Sequence, residues 1–182
     1  MTHLVKNSTT LLAPCTIADH GAAILAILNH AITTSTALYD YQPRTMDNMA
    51  TWFAAKIAGQ FPVIGVFDEQ QTLMGFASYG TFRAFPAYKY TVEHSVYVHH
   101  AYRGQGLAKV LMNAIIEQAQ AQGKHVMVGA IDADNAISLK LHADCGFERV
   151  GTMPQVGFKF GRWLDLALVQ RVLATPSQPI DG

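Results

Sequence analysis

The chain has 182 residues, half of them hydrophobic, and its 13 Lys and Arg balance 13 Asp and Glu for a formal net charge of zero. That length suits one domain with a substantial core. The neutral balance lacks the electrostatic footprint of a nucleic-acid binder, and no apolar run reaches the length of a membrane span, so neither partner is expected. Cys15 and Cys145 stand without metal-type spacing. No basic segment leads into a continuous apolar stretch, so no secretion signal is read and a cytoplasmic location is expected.

Residues 1–10 are polar and read as a flexible tail ahead of a domain spanning 11–171. Leu11 to Cys15 reads as a strand. Thr16 and Asp19 form a capping pattern for a helix running to about Ala31, in which Ile24, Leu28 and Ile32 are spaced for one buried face. Thr33 to Arg44, with Pro43, reads as a loop. A second helix is expected from Asp47 to Ala58, ended by Gly59. Val63–Phe67 and Leu73–Tyr79 then flank the turn Asp68-Glu-Gln-Gln71 as a hairpin. Pro86 interrupts the following segment, and Tyr90–Val98 is a strand. The helix from Gly106 to Gln122 is expected to bury Leu107, Val110, Leu111, Ala114 and Ile115, with Gly123 stopping it. His125–Ile131 reads as a strand, Asn135–Ala143 as a helix, and Phe147–Gly151 and Trp163–Arg171 as the last strands. Residues 172–182, with Pro176 and Pro179, read as a mobile tail. This order is α+β, with a mixed sheet and helices packed on it.

The segment Tyr97-Val-His-His-Ala-Tyr-Arg-Gly-Gln-Gly-Leu-Ala108 carries most of the functional information. A strand enters a polar turn, Arg103 and two glycines follow, and a helix begins. Glycines let backbone N–H groups approach a ligand closely, and a helix N-terminus adds unpaired donors and positive dipole. Together they suit a pyrophosphate. A P-loop would need Gly-Lys-Ser/Thr, which the turn lacks, and Lys109 stands where a dinucleotide fingerprint needs a third Gly or Ala.

The pattern Arg-x-x-Gly-x-Ala at Arg103, Gly106 and Ala108 resembles the pyrophosphate turn of the GNAT superfamily of N-acetyltransferases. Further segments extend the likeness: Thr91-Val-Glu-His-Ser-Val-Tyr-Val98 before the turn, and Asn135-Ala-Ile-Ser-Leu-Lys-Leu-His142, Cys145-Gly-Phe147, Met153-Pro-Gln-Val-Gly157 and Lys159–Leu166 after it. Over roughly residues 11 to 171 the chain resembles the phosphinothricin/methionine sulfoximine branch. That resemblance implies a single GNAT-like domain with helices on both faces of the sheet and two central parallel strands that splay apart. It also implies acetyl-CoA as cosubstrate, no metal, a small amino-acid substrate acetylated on its α-amino group in a ternary complex, and a homodimer. The alternatives are another amine, such as a peptide N-terminus or polyamine, or a non-catalytic acyl-CoA-binding domain.

An α-ammonium group must lose a proton before it can attack a thioester, and a positioned carboxylate can take it. Strand alternation puts Thr91, Glu93, Ser95 and Tyr97 on one face and Val92, His94, Val96 and Val98 on the other. Glu93 is the candidate base; the bland alternative is an ion pair. The resemblance places acetyl-CoA against Val96, Tyr97 and Val98, the turn Arg103, Gly104, Gln105, Gly106, Leu107, Ala108 and Lys109, and Asn135, which also fits a helix cap. It places substrate contacts at Arg83, Ala84 and Phe85 and along Glu93, His94 and Ser95; Arg83 is the cation suited to grip a carboxylate. Where many members carry a tyrosine as general acid, this chain has His142, which is the candidate substitute. The adjacent His99 and His100 are expected to point to opposite faces, as strand neighbours do, and so to suit metal poorly.

Overall fold

The computed structural model describes residues 10–181, so all but the last residue of the expected N-terminal tail lies outside the described residues. The elements run β1 (Leu11–Pro14), α1 (Ile17–Thr34), α2 (Met46–Ala58), β2 (Val63–Phe67), β3 (Leu73–Thr81), β4 (Thr91–Val98), α3 (Leu107–Ala121), β5 (Val126–Asp132), α4 (Ala136–Asp144), β6 (Glu148–Lys159) and β7 (Arg162–Val172), with short 3-10 turns at Pro86–Tyr88 and His100–Tyr102. Local chemistry sets several boundaries. The Thr16 hydroxyl accepts a bond from the Asp19 N–H at 3.1 Å, and Thr45 and Asn48 form a reciprocal capping box at the start of α2.

The seven strands form one sheet in the order β1-β2-β3-β4-β5-β7-β6. All neighbours are antiparallel except β4 and β5. That parallel pair shares only three rungs: Thr91 with Val126, Val92 with Met127 and Glu93 with Val128. Beyond them β4 stays with β3 to Val98, and β5 stays with β7 to Asp132. The two central strands therefore diverge past Glu93 and Val128, giving the splay that the family resemblance implied.

Helices cover both faces. Ile24, Ile27 and Leu28 of α1 and Met49 and Phe53 of α2 pack with Phe67, Leu73 and Phe76 on one side. Leu107, Leu111, Met112, Ile115 and Ile116 of α3 pack with Val92, Met127 and Val169 on the other, joined by Phe147 and Cys145 from beyond α4. The two clusters anchor the walls of anything bound between the splayed strands.

Three expectations need correction. Val110 lies on the exposed side of α3, and Met112, Ile116 and Ala119 take up the buried stripe instead; the helical period carries the stripe from Leu107 to Leu111 and Ile115 and past Val110. The strand expected at Phe147–Gly151 runs on to Lys159 through Pro154. An edge strand with shifted register between Met153 and Gly157 tolerates a proline, because the missing N–H leaves no inner ladder bond unmade. At the other end, β7 extends to Val172 and Leu173 is buried. From there the Thr175 hydroxyl donates to the Lys124 carbonyl, and the Ile180 N–H donates to the Tyr90 hydroxyl.

Candidate active site

Past the last shared rung of β4 and β5 a cleft of about 610 Å³ opens through the sheet. Every β4 residue from Glu93 to Val98 lines it. Ile27 and Ala31 of α1 and the loop Ser35–Tyr39 form one wall. Arg103 and Ala108 at the glycine turn, and Asn135, Ser138 and His142 around α4, form the other. Residues from both helical layers thus meet in one space, so two molecules can enter from opposite faces of the sheet.

The glycine turn has an open, left-handed backbone. Gly104 and Gly106 hold φ of 77° and 78°, the left-handed region that a residue with a side chain enters at a cost. Gly106 is also the N-cap of α3 and supplies no capping side chain; its carbonyl accepts from the Lys109 and Val110 N–H groups, which leaves the Leu107 and Ala108 N–H groups without a partner inside the helix. A Cβ at either glycine would meet no protein atom within 4 Å. The space in front of them is open to a ligand. Arg103, Gln105 and Lys109 are exposed around the turn.

Glu93 is solvent-accessible, but the surrounding protein desolvates its carboxyl and raises its pKa above the ordinary value, with the charge of Arg83 partly opposing the shift. Tyr97, on the same strand face, packs at a tilt against Phe76 with ring centroids 5.5 Å apart, and burial pushes its phenol up to about 12. Arg83, Ala84 and Phe85 do not line the cleft. They border a separate hollow of about 280 Å³ with Tyr88, Lys89 and Lys124. The Arg83 guanidinium rests 5.0 Å over the Phe82 ring.

His94 points to the opposite side of β4 and is buried. Its Nε2 lies 3.2 Å from Nε2 of His142, and the two imidazoles stack with their centroids 5.0 Å apart. Phe147 closes on both rings edge-on. Gly129 of β5 makes room for the pair, since a Cβ there would come 2.8 Å from His94 Nε2 and 3.3 Å from His142 Nε2. Desolvation lowers both pKa values, His94 to about 3. His142 Nδ1 sits 2.6 Å from the Ser138 carbonyl. Asn135 caps α4 by accepting from the Ser138 N–H at 3.0 Å, and it also lines the cleft.

The sequence did not single out the loop wall. Lys159, buried on β6, donates from Nζ to the carbonyls of Ile32 (2.7 Å), Ser35 (2.9 Å) and Leu38 (2.5 Å). Thr36 donates its hydroxyl to the buried Asp132 carboxylate. Tyr39 packs where Gly157 leaves space, and its hydroxyl is buried in the cleft without a partner. A lysine surrounded by apolar residues in β6 was the one signal available, and its acceptors are distant in sequence. His99 and His100 also correct an expectation. The chain turns into a 3-10 helix after Val98, so their rings stack 4.3 Å apart instead of diverging, and His30 of α1 stacks on His100.

Residues 25–147 match the family model described as Acetyltransferase (GNAT) family. An L-methionine sulfoximine/L-methionine sulfone acetyltransferase of Pseudomonas paraeruginosa is 48% identical over 158 residues, covering 85% of this chain and 92% of the relative. A solved candidate acetyltransferase from Acinetobacter baylyi superposes with a TM-score of 0.95 at 55% identity, covering 97% of this chain and 99% of that one. A phosphinothricin acetyltransferase of Sinorhizobium meliloti, solved with acetyl-CoA, gives a TM-score of 0.89 at 31% identity, covering 96% and 95%. The family match spans more than half of the chain, and it begins on α1 and ends just past α4, enclosing the splay, the glycine turn and the histidine pair. The chain belongs to the GNAT family of acetyltransferases.

Proposed function

We propose that the chain transfers the acetyl group of acetyl-CoA to the α-amino group of a small free amino acid of the methionine sulfone or methionine sulfoximine type. The observation that carries the reading is the cleft through the splayed strands, with a carboxylate on one side of β4 and an anion cradle at its end. The fit to acetyl-CoA rests on the open space before Gly104 and Gly106, and on β4 backbone that β5 leaves unpaired past Glu93. Arg103, the amides of residues 104–108 and the Lys109 side chain hold the pyrophosphate, and Val96 to Val98 and Asn135 hold the arm that follows.

The amine enters from the α1 side, bounded by Ile27, Ala31 and the Ser35–Tyr39 loop. Glu93 accepts the ammonium proton directly or through a water, the amine nitrogen bonds to the thioester carbon, the carbon–sulfur bond breaks, and the second proton that the nitrogen sheds on becoming an amide neutralises the departed thiolate. A β4 backbone N–H stabilises the charge that develops on the carbonyl oxygen. Tyr39 supplies a hydroxyl to the polar groups of the amino acid. Arg83 lies in its own hollow outside the cleft, but its charge reaches Glu93 and favours the ionised base.

His142 is a weak candidate for the acid that protonates the departing thiolate, because its Nε2 faces His94 and burial keeps the ring neutral. A thiol of moderate pKa leaves without that help. The chain acts in the cytoplasm as a homodimer, with the exposed apolar residues Val150, Met153, Val156 and Phe158 along the β6 edge as the meeting surface. Acetylation of a toxic amino-acid analogue removes its reactive amine, which suits detoxification.

A panel of amines offered with acetyl-CoA, read by thiol release, tests the substrate class. Turnover of L-methionine sulfone or sulfoximine with little turnover of the D-isomers supports the proposal. Acetylation of peptides or polyamines alone would replace it, and binding of acetyl-CoA without turnover on any amine would remove catalysis.

A further inference from the structure

Two buried side-chain polar atoms among the described residues have no hydrogen-bond partner, Tyr39 Oη and His94 Nδ1, and both residues line the one cleft. Buried polar atoms are nearly always paired, so each orphan asks for an occupant. The tautomer of His94 follows from its neighbours. The Ser138 carbonyl can only accept, so His142 Nδ1 carries the hydrogen of their 2.6 Å contact. A neutral His142 then has a bare Nε2, and His94 Nε2 must donate to it across 3.2 Å. Desolvation keeps both rings neutral. His94 Nδ1 is therefore a bare acceptor with its orientation fixed through two rings and a carbonyl, and what it lacks is a donor.

The donor must come from the side of the sheet that His94 occupies. That side holds α3, α4, Phe147 and the glycine turn, whereas Glu93, Ser95 and the α1 wall lie across β4. The incoming amine approaches from the Glu93 side. Acetyl-CoA presents N–H groups on the two amides of its pantetheine arm; the arm's one hydroxyl and the adenine amine lie toward and beyond the pyrophosphate, at the far end of β4 from His94. We infer that His94 Nδ1 accepts a hydrogen bond from a pantetheine amide N–H of acetyl-CoA, with His142 and the Ser138 carbonyl holding the ring in the accepting tautomer. This rests on the acetyl-CoA reading above. It moves His94 from the substrate side, where the family resemblance put it, to the cofactor side.

The test uses full-length protein labelled with ¹⁵N-histidine, titrated with CoA and separately with adenosine 3′,5′-bisphosphate, which lacks the arm. CoA should move the bare-nitrogen resonance of His94 upfield, and the bisphosphate should not. An unmoved resonance with CoA bound, or an equal shift with both ligands, overturns the inference while leaving CoA binding intact. Failure of CoA to bind at all, seen by calorimetry, would instead remove the acetyl-CoA reading and the inference with it. Variants give an independent arm. Asparagine places an oxygen near the position of Nδ1, so His94→Asn should keep CoA affinity near wild type. His94→Phe should lose about five- to tenfold, the worth of one hydrogen bond. Both should bind the bisphosphate as the wild type does. Equal CoA affinity in the two variants would contradict the contact.

Discussion

Glu93 pairs with Val128 in the last rung that β4 and β5 share. The catalytic carboxylate of the proposed mechanism thus sits where regular pairing stops. Before that rung the strand is held on both sides, which fixes the backbone of Glu93. After it one edge of β4 is free, so its N–H and C=O groups are available to a ligand. A rigid base next to an open edge is the arrangement that amine and thioester need in order to meet.

The glycine turn should respond to bulk without loss of the fold. Gly106→Val forces a β-branched residue into φ of 78° and puts a side chain into the space a pyrophosphate would fill. The strain alone costs about 1–2 kcal/mol. CoA affinity measured by calorimetry should fall by at least about tenfold, while circular dichroism stays native. Unchanged affinity in folded protein would remove the turn from the binding site.

Arg83 should appear in the pH profile. Desolvation raises the Glu93 carboxyl and Arg83 opposes it. The base works ionised, so activity is lost as pH falls through this raised value. Arg83→Ala removes the opposing charge and should move the acid limb of kcat/KM to higher pH, whereas Arg83→Lys should leave it in place. If Arg83 also grips the α-carboxylate, the loss of kcat/KM in Arg83→Ala should be smaller for the α-amide of methionine sulfone than for the acid. A fixed limb and equal losses would assign Arg83 to its own hollow.

Lys159 should act on the amine site at a distance. Its three carbonyl partners hold the end of α1 and the Ser35–Leu38 loop. Lys159→Met leaves those carbonyls unpaired and should cost about 1–3 kcal/mol in denaturant unfolding. The loosened wall should raise KM for the amino acid and spare CoA affinity. An unchanged KM would make Lys159 a scaffold residue only.

His94 should make the protein acid-sensitive. Its pKa is held from 6.5 down to about 3 in the fold, so the unfolded chain binds the extra proton between those values. The stability it contributes is present above pH 6.5 and is lost as pH falls toward 3. His94→Phe should flatten the decline of unfolding free energy across that window, and an identical slope would deny the linkage.

Much of this was legible in the sequence because local chemistry carried it. Thr16 and Asn135 are side-chain caps and each marked the start of its helix, and Gly59 marked the end of α2. Alternation along Thr91–Val98 separated Glu93 from His94 correctly, because one rule of strand geometry decides it. The wall of the amine site was not legible. Lys159 reaches carbonyls more than a hundred positions away, and Tyr39 lies in a segment with no period to read. The separate hollow of Arg83 likewise depends on how the loop after β3 folds back, which neighbouring residues do not determine.

The most direct test of the central claim is the turnover of Glu93→Gln with L-methionine sulfone and acetyl-CoA, followed from neutral to alkaline pH. Glutamine keeps the shape and hydrogen bonding of the side chain but does not take up the ammonium proton. At neutral pH kcat should fall by ~10²–10⁴-fold, with CoA affinity unchanged, and the deficit should narrow as rising pH deprotonates the amine unaided. Near wild-type kcat at neutral pH would contradict the claim.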